Sequence, residues 1–60
     1  MKLYELERET YFTVDKDESQ TVFRLQRIDG MFSICYYKME GKDVLVHIIV
    51  NADVTIVTYH

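Results

Sequence analysis

The seven residues Val44-Leu45-Val46-His47-Ile48-Ile49-Val50 decide the fold class of this chain. A short apolar run that is rich in β-branched side chains is typical of a strand and is too short for most helices. The alternate positions that include Leu45 and Ile49 are as apolar as the positions between them, apart from His47. The pattern therefore predicts a strand with apolar side chains on both faces of its sheet.

Four further runs of the same composition surround this strand, and segments with turn chemistry separate them. The predicted strands are residues 10–14, 21–28, 32–39, 44–50 and 54–59. The predicted connections are the polar loop 15–20, the pair Asp29-Gly30, the segment 40–43 and the segment 51–53. Leu3 and Leu6 have the spacing of one helical turn that could plug an end of the sheet. The sequence predicts an all-β fold, a small five-stranded antiparallel meander or half-open SH3-like barrel with a short N-terminal turn.

The length and the cysteine content limit the kind of protein this is. Sixty residues support one core, so we expect a single domain over 1–60. Cys35 is the only cysteine, which excludes a disulfide within the chain, and no apolar run reaches the length of a membrane span. We expect a soluble cytoplasmic protein with no membrane association, no small-molecule substrate and no cofactor.

Charge is concentrated near the start of the chain. Residues 1–18 carry six acidic and three basic side chains, whereas the rest of the chain carries four of each. Such a segment serves as a solubilising face or steers the domain toward a basic partner. Under the second interpretation Glu5, Glu7 and Glu9 are the steering charges.

Few residues have the chemistry of a catalytic or metal site. His47 could be a base, a ligand or a pH switch, but a single histidine in a strand is more often an outward or interfacial side chain. Cys35, His47 and His60 lack the spacing of a zinc site. Ser33 or Cys35 would need His47 and oxyanion donors beside it, and no glycine-rich elbow accompanies them. We therefore expect no enzymatic activity and no metal.

The aromatic residues suggest a nucleic-acid hypothesis. Rings interleaved with cations are typical of single-strand binding platforms, and the chain has such a set in Phe32, Tyr36, Tyr37, Arg24, Arg27 and Lys38. A net charge of −3 disfavours phosphate binding. We regard nucleic acid as an unlikely partner and cross-strand packing as the ordinary role of these rings.

Several segments resemble small bacteriophage-encoded β-barrel proteins of unknown function. They are Lys2-Leu3-Tyr4-Glu5-Leu6, Thr10-Tyr11-Phe12, Val22-Phe23-Arg24-Leu25 and Ile28-Asp29-Gly30-Met31-Phe32-Ser33. In those proteins a leucine-bearing turn leads into a Tyr-Phe strand, and the residue before that strand is often glycine, where this chain has Glu9. The resemblance implies a phage accessory protein in the host cytoplasm.

The apolar C-terminal strands indicate binding as the function. A domain of this size has little material to cover a second apolar face, so either the N-terminal segment or another molecule must cover it. We predict a protein-binding module that inhibits or modulates a host protein through the interface Tyr36, Tyr37, Leu45, His47, Ile49, Val57 and Tyr59. Alternatives are self-association into a homo-oligomeric structural protein of a virion or scaffold, and a single-stranded nucleic-acid binder.

Overall fold

Alternating β-branched and aromatic residues form five strands in the computed structural model, which describes residues 1–58. The strands are β1 (Tyr11–Val14), β2 (Phe23–Asp29), β3 (Phe32–Met39), β4 (Lys42–Ile49) and β5 (Val54–Ile56). A 3-10 helix, Leu3–Glu5, precedes them. The predicted all-β fold with five antiparallel strands and a short N-terminal turn is confirmed. The last strand is shorter than the predicted 54–59, and Tyr59 lies outside the described residues.

All five strands belong to one antiparallel sheet with the order β4-β3-β2-β1-β5. The first four form a meander, and β5 crosses to pair with β1. Two-residue turns set the hairpins. Gly30 has a φ of 66° at the first turn position between β2 and β3, while Glu40 and Gly41 have φ values of 52° and 78° between β3 and β4. Two consecutive positive φ angles define the turn whose twist matches that of the flanking strands.

The short connection between β4 and β5 rolls the sheet. Five flat strands would separate the outermost two by about 19 Å. Residues 50–53 join those two strands, and the extended chain from Ile49 to Val54 spans at most about 17 Å. The edges are therefore drawn toward each other, and the sheet becomes an open, curved structure.

The N-terminal segment fills the gap that this rolling leaves. The Leu3 and Tyr4 N–H groups donate to the carbonyl oxygens of Ala52 and Val50, each at 3.0 Å. The Lys2 N–H donates to the Glu5 carboxylate at 2.9 Å, which fixes the start of the 3-10 turn. The segment thereby closes one end of the sheet, as predicted.

The core lies on the concave face of the sheet, called the inner face below. Its fully buried apolar side chains are Leu3, Phe12, Leu25, Cys35 and Val54. Leu6 is 8% exposed and belongs to the same cluster. The two leucines of the N-terminal turn thus cover the inner face.

Candidate binding surface

The strand register divides the side chains of β3 and β4 between the two faces of the sheet. Directly opposite residues in an antiparallel pair share a face. Cys35 is opposite Leu25 on one side and Val46 on the other, which places all three on the inner face. The intervening pairs therefore lie on the outer face.

Three cross-strand pairs form an apolar area on this outer face. The pairs are Phe32 with Ile49, Ile34 with His47 and Tyr36 with Leu45, and we call these six residues the outer patch. Phe32, Leu45 and Ile49 are 50%, 49% and 41% exposed, whereas Ile34 between them is 7% exposed. Exposed large apolar side chains that are contiguous, rather than scattered, mark interaction sites.

An irregularity in β2 places two arginines beside the outer patch. Arg24 is opposite Tyr36 and Leu25 is opposite Cys35, but the register then shifts so that Arg27 is opposite Ile34. Gln26 is the extra residue of this bulge, and in a regular register Arg27 would lie opposite Ser33 and face inward. The outer face consequently has Arg24 and Arg27 along one side of the aromatic and aliphatic side chains.

Tyr36 is held in place by its neighbours. Its hydroxyl donates to the Gln26 amide oxygen at 3.1 Å. The Arg24 guanidinium carbon lies 5.7 Å from the centroid of its ring, within cation-π range. A fixed, half-buried tyrosine is a good anchor for a partner, because little conformational entropy remains to be lost.

A shallow groove of about 360 Å³ continues from Tyr36 toward the β1–β2 loop. Its lining residues are Tyr11, Thr21, Val22, Arg24, Tyr36, Tyr37, Lys38 and Asp43. The Lys38 ammonium is 2.9 Å from the Asp43 carboxylate, and this contact lowers the pKa of Asp43. Arg24 is 3.6 Å from the Glu9 carboxylate. Two of the cations on this face are therefore already paired.

The backbone of β4 adds polar groups to the same surface. At one end of the β3–β4 hairpin, Met39 and Lys42 flank a two-residue turn and so form a hydrogen-bonded pair. At the other end, the Val50 N–H donates to the Met31 carbonyl, so every second pair between these ends is hydrogen-bonded. This alternation points the N–H and C=O groups of Asp43, Leu45 and His47 away from β3. Within residues 1–58 no other strand pairs with this edge.

The predicted interface residues do not all lie on one surface. Tyr36, Leu45, His47 and Ile49 come together on the outer face. Tyr37 does not join them, because it lies on the inner face with its ring 5.7 Å from that of Phe23. Val57 follows β5 at the far side of the sheet, where its N–H donates to the Tyr11 carbonyl. Tyr59 is outside the described residues.

The predicted steering charges have different surroundings. Glu5 accepts the Lys2 N–H in the N-terminal turn, and Glu9 lies beside Arg24. Glu7 is exposed. Only Glu9 therefore contacts a residue of the outer face.

The possible nucleophiles and His47 lie on opposite faces. Ser33 and Cys35 are fully buried on the inner face, whereas His47 is exposed on the outer face. The Ser33 hydroxyl donates to the Ile48 carbonyl at 2.8 Å and lies 3.2 Å from the Cys35 sulfur. Burial raises the pKa of the Cys35 thiol. These groups form a satisfied core contact and not a nucleophile and base pair.

Comparisons with protein-family models, with curated proteins and with solved structures find no match to this chain. The resemblance to phage-encoded proteins stays a prediction. Residues 1–58 contain no helix with the length and hydropathy that crossing a bilayer requires.

Proposed function

We propose that this domain is a protein-binding module that acts through the outer patch. The observation that carries the proposal is the joint exposure of Phe32, Leu45 and Ile49 beside a strand edge with which no other strand of residues 1–58 pairs. Side chains offer apolar area there, and the adjacent backbone offers hydrogen-bonding groups, which is the combination that β-strand addition uses. An accessory protein that inhibits or modulates a host protein is one form of this function.

Protein is favoured over nucleic acid by the charges on the outer face. Lys38 is paired with Asp43, and Arg24 is close to Glu9, so among the basic residues of β2 and β3 Arg27 alone has no ion pair within residues 1–58. Nucleic-acid platforms need several free cations because phosphate contacts supply most of their affinity. We expect no binding of single-stranded oligonucleotides in fluorescence anisotropy at low salt, and binding there would favour the alternative function.

The experiment that tests the proposal compares two sets of exposed apolar residues. The test variant combines Leu45→Thr with Ile49→Thr, since threonine keeps strand propensity while removing apolar area. The control is Ile56→Thr, because Ile56 is 47% exposed but lies on β5. Each purified protein is immobilised and incubated either with the same protein in solution or with a lysate of the cells that express it. Circular dichroism of each variant checks that it is folded.

We expect wild type and the Ile56→Thr control to retain the same protein, and the double variant to lose it. Retention that does not depend on Leu45 and Ile49 would place the contact elsewhere. The absence of any retained protein, this chain included, would contradict the proposed function.

A further inference from the structure

We propose that the protein bound by this domain is a second copy of this chain, joined edge to edge through β4 as antiparallel strands about a two-fold axis at Leu45. This inference rests on the proposed function and identifies the bound protein. The resulting dimer would have one continuous ten-stranded sheet.

The first support is the difference between the two edges. At the other edge, the Val54 N–H donates to the Met1 carbonyl at 2.8 Å, and Lys2 forms a bridge with Asp53. The N-terminal segment thus covers β5, whereas β4 is eight residues long and stays in regular register with β3. Proteins usually protect such an edge with proline, a bulge or a covering segment. A long and regular edge with which no other strand of residues 1–58 pairs fits a strand that has a strand of another molecule as its partner.

The second support is that the edge is self-complementary. The sequence Asp43-Val44-Leu45-Val46-His47 has apolar residues placed symmetrically about Leu45, an acid at one end and an imidazole at the other. An antiparallel pair about a two-fold axis at Leu45 sets Asp43 opposite His47 of the second copy, and it does so twice. Opposite cross-strand pairs of this kind stabilise a sheet, and His47 can donate to a carboxylate even when it is neutral.

Other two-fold registers lack this complementarity. An axis at His47 places the two histidines opposite each other, and an axis at Asp43 does the same with two carboxylates. An axis at Val46 places Asp43 opposite the apolar Ile49. The register through Leu45 is therefore the one that sets the Asp43 carboxylate opposite the His47 imidazole, whereas an axis at Asp43 would set like charges opposite each other.

The outward backbone groups fit the same register. Asp43, Leu45 and His47 direct their N–H and C=O groups away from β3, and these three residues are the ones that meet in a pair centred on Leu45. Their side chains all lie on the outer face, so pairing also brings the two outer patches side by side. The copies would share one larger apolar surface around Leu45, which is 49% exposed in the single chain.

Sedimentation equilibrium over protein concentrations from about 1 µM to 1 mM tests the proposal. We expect a reversible monomer–dimer equilibrium. His47→Asp places two carboxylates opposite each other at both ends of the pair and should raise the dimer dissociation constant at least about tenfold. The charge exchange Asp43→His with His47→Asp restores complementarity and should return the constant to within about threefold of wild type.

Three results would overturn the inference: a monomer at every concentration, a dimer that His47→Asp leaves unchanged, and a charge-exchange variant as weak as the single variant. Urea denaturation of each variant separates lost pairing from lost folding. If the chain is a monomer but retains another protein through Leu45 and Ile49, the inference fails and the proposed function stands. If neither contact exists, both fail.

Discussion

The two edges of this sheet end in opposite ways. At β5 the strand has three residues, the N-terminal segment covers it, and Leu3 and Val54 beneath are at most 1% exposed. At β4 the strand has eight residues, no strand of residues 1–58 covers it, and Leu45 and Ile49 are nearly half exposed. Among residues 1–58 the longest segment outside the strands is 1–10, and its first residues lie at β5. The N-terminal segment therefore covers the β5 edge, and the β4 edge is the one at which another molecule can pair.

The largest expected effect is a difference in the loss of unfolding free energy between a substitution near the covered β5 edge and one at the open β4 edge. Leu3→Ala removes a fully buried side chain and should lower the free energy of unfolding by about 2–5 kcal/mol. Leu45→Ala should lower it by less than about 1 kcal/mol in a monomeric sample, because half of that side chain is already in water. Urea denaturation at low protein concentration measures both values. Equal losses for the two variants would contradict the contrast between the edges.

The next effect concerns whether the two regions open together. Cys35 lies on β3 between Leu25 and Val46, and it is fully buried. If exposure of its thiol requires global unfolding of about 5 kcal/mol, a thiol reagent should react about 5000-fold more slowly than with the unfolded chain. Thiol labelling, compared with the unfolding free energy from urea, measures this protection. Faster labelling than global unfolding permits would show that the β3–β4 hairpin opens alone.

The same thiol gives the stability of the domain a pH dependence. Burial raises the pKa of Cys35 above its ordinary value of 9.0, so the thiolate forms more easily in the unfolded chain. Well below pH 9 the thiol is neutral in both states and contributes no pH dependence. As the pH rises above 9 toward the folded-state pKa, this contribution to stability is lost. Urea denaturation from pH 8 to pH 10 should therefore show a steeper loss for wild type than for Cys35→Ala, and parallel curves would contradict the assignment.

Most of the fold could be predicted from the sequence because its signals are local. The five strands follow from short runs of β-branched residues, and the hairpins follow from Gly30 and Gly41. The pairing of the outer patch could also have been counted outward from the Glu40-Gly41 turn, since each residue of β3 then has a fixed partner on β4. The same alternation separates Tyr36 from Tyr37, which the predicted interface had grouped together.

The remaining features depend on contacts between distant segments. The bulge at Gln26 brings Arg27 to the outer face, and nothing in the local sequence of β2 marks it. The covering of β5 by residues 1–2, and the consequent isolation of the β4 edge, depend on how the sheet rolls. Such long-range pairings determine which apolar face remains open. Composition alone shows only that the chain has more apolar side chains than one covered face can hold.

A smaller effect concerns Glu9, which lies two residues before β1. Glu9 has a φ of 70°, and its N–H donates to the Leu25 carbonyl, as in a bulge whose first residue is usually glycine. Glu9→Gly should be more stable than Glu9→Ala by about 1 kcal/mol, because only glycine adopts this conformation without strain. Both variants lose the contact with Arg24, so the difference between them in urea denaturation isolates the backbone. An alanine variant as stable as the glycine variant would show that this φ is not strained.

The smallest expected effect concerns the turn that leads into the open edge. Glu40 has a φ of 52° at the first central position of its turn, where asparagine followed by glycine is the favoured pair. Glu40→Asn should therefore stabilise the domain by about 0.5 kcal/mol, because asparagine tolerates the left-handed conformation better than glutamate. Glu40→Gln removes the same charge without that tolerance and is the matched control in urea denaturation. Amide hydrogen exchange of the Glu40→Asn variant shows which part of the domain is stabilised. An increase in protection that is confined to Lys42–Ile49 would show that β4 opens independently of the covered core.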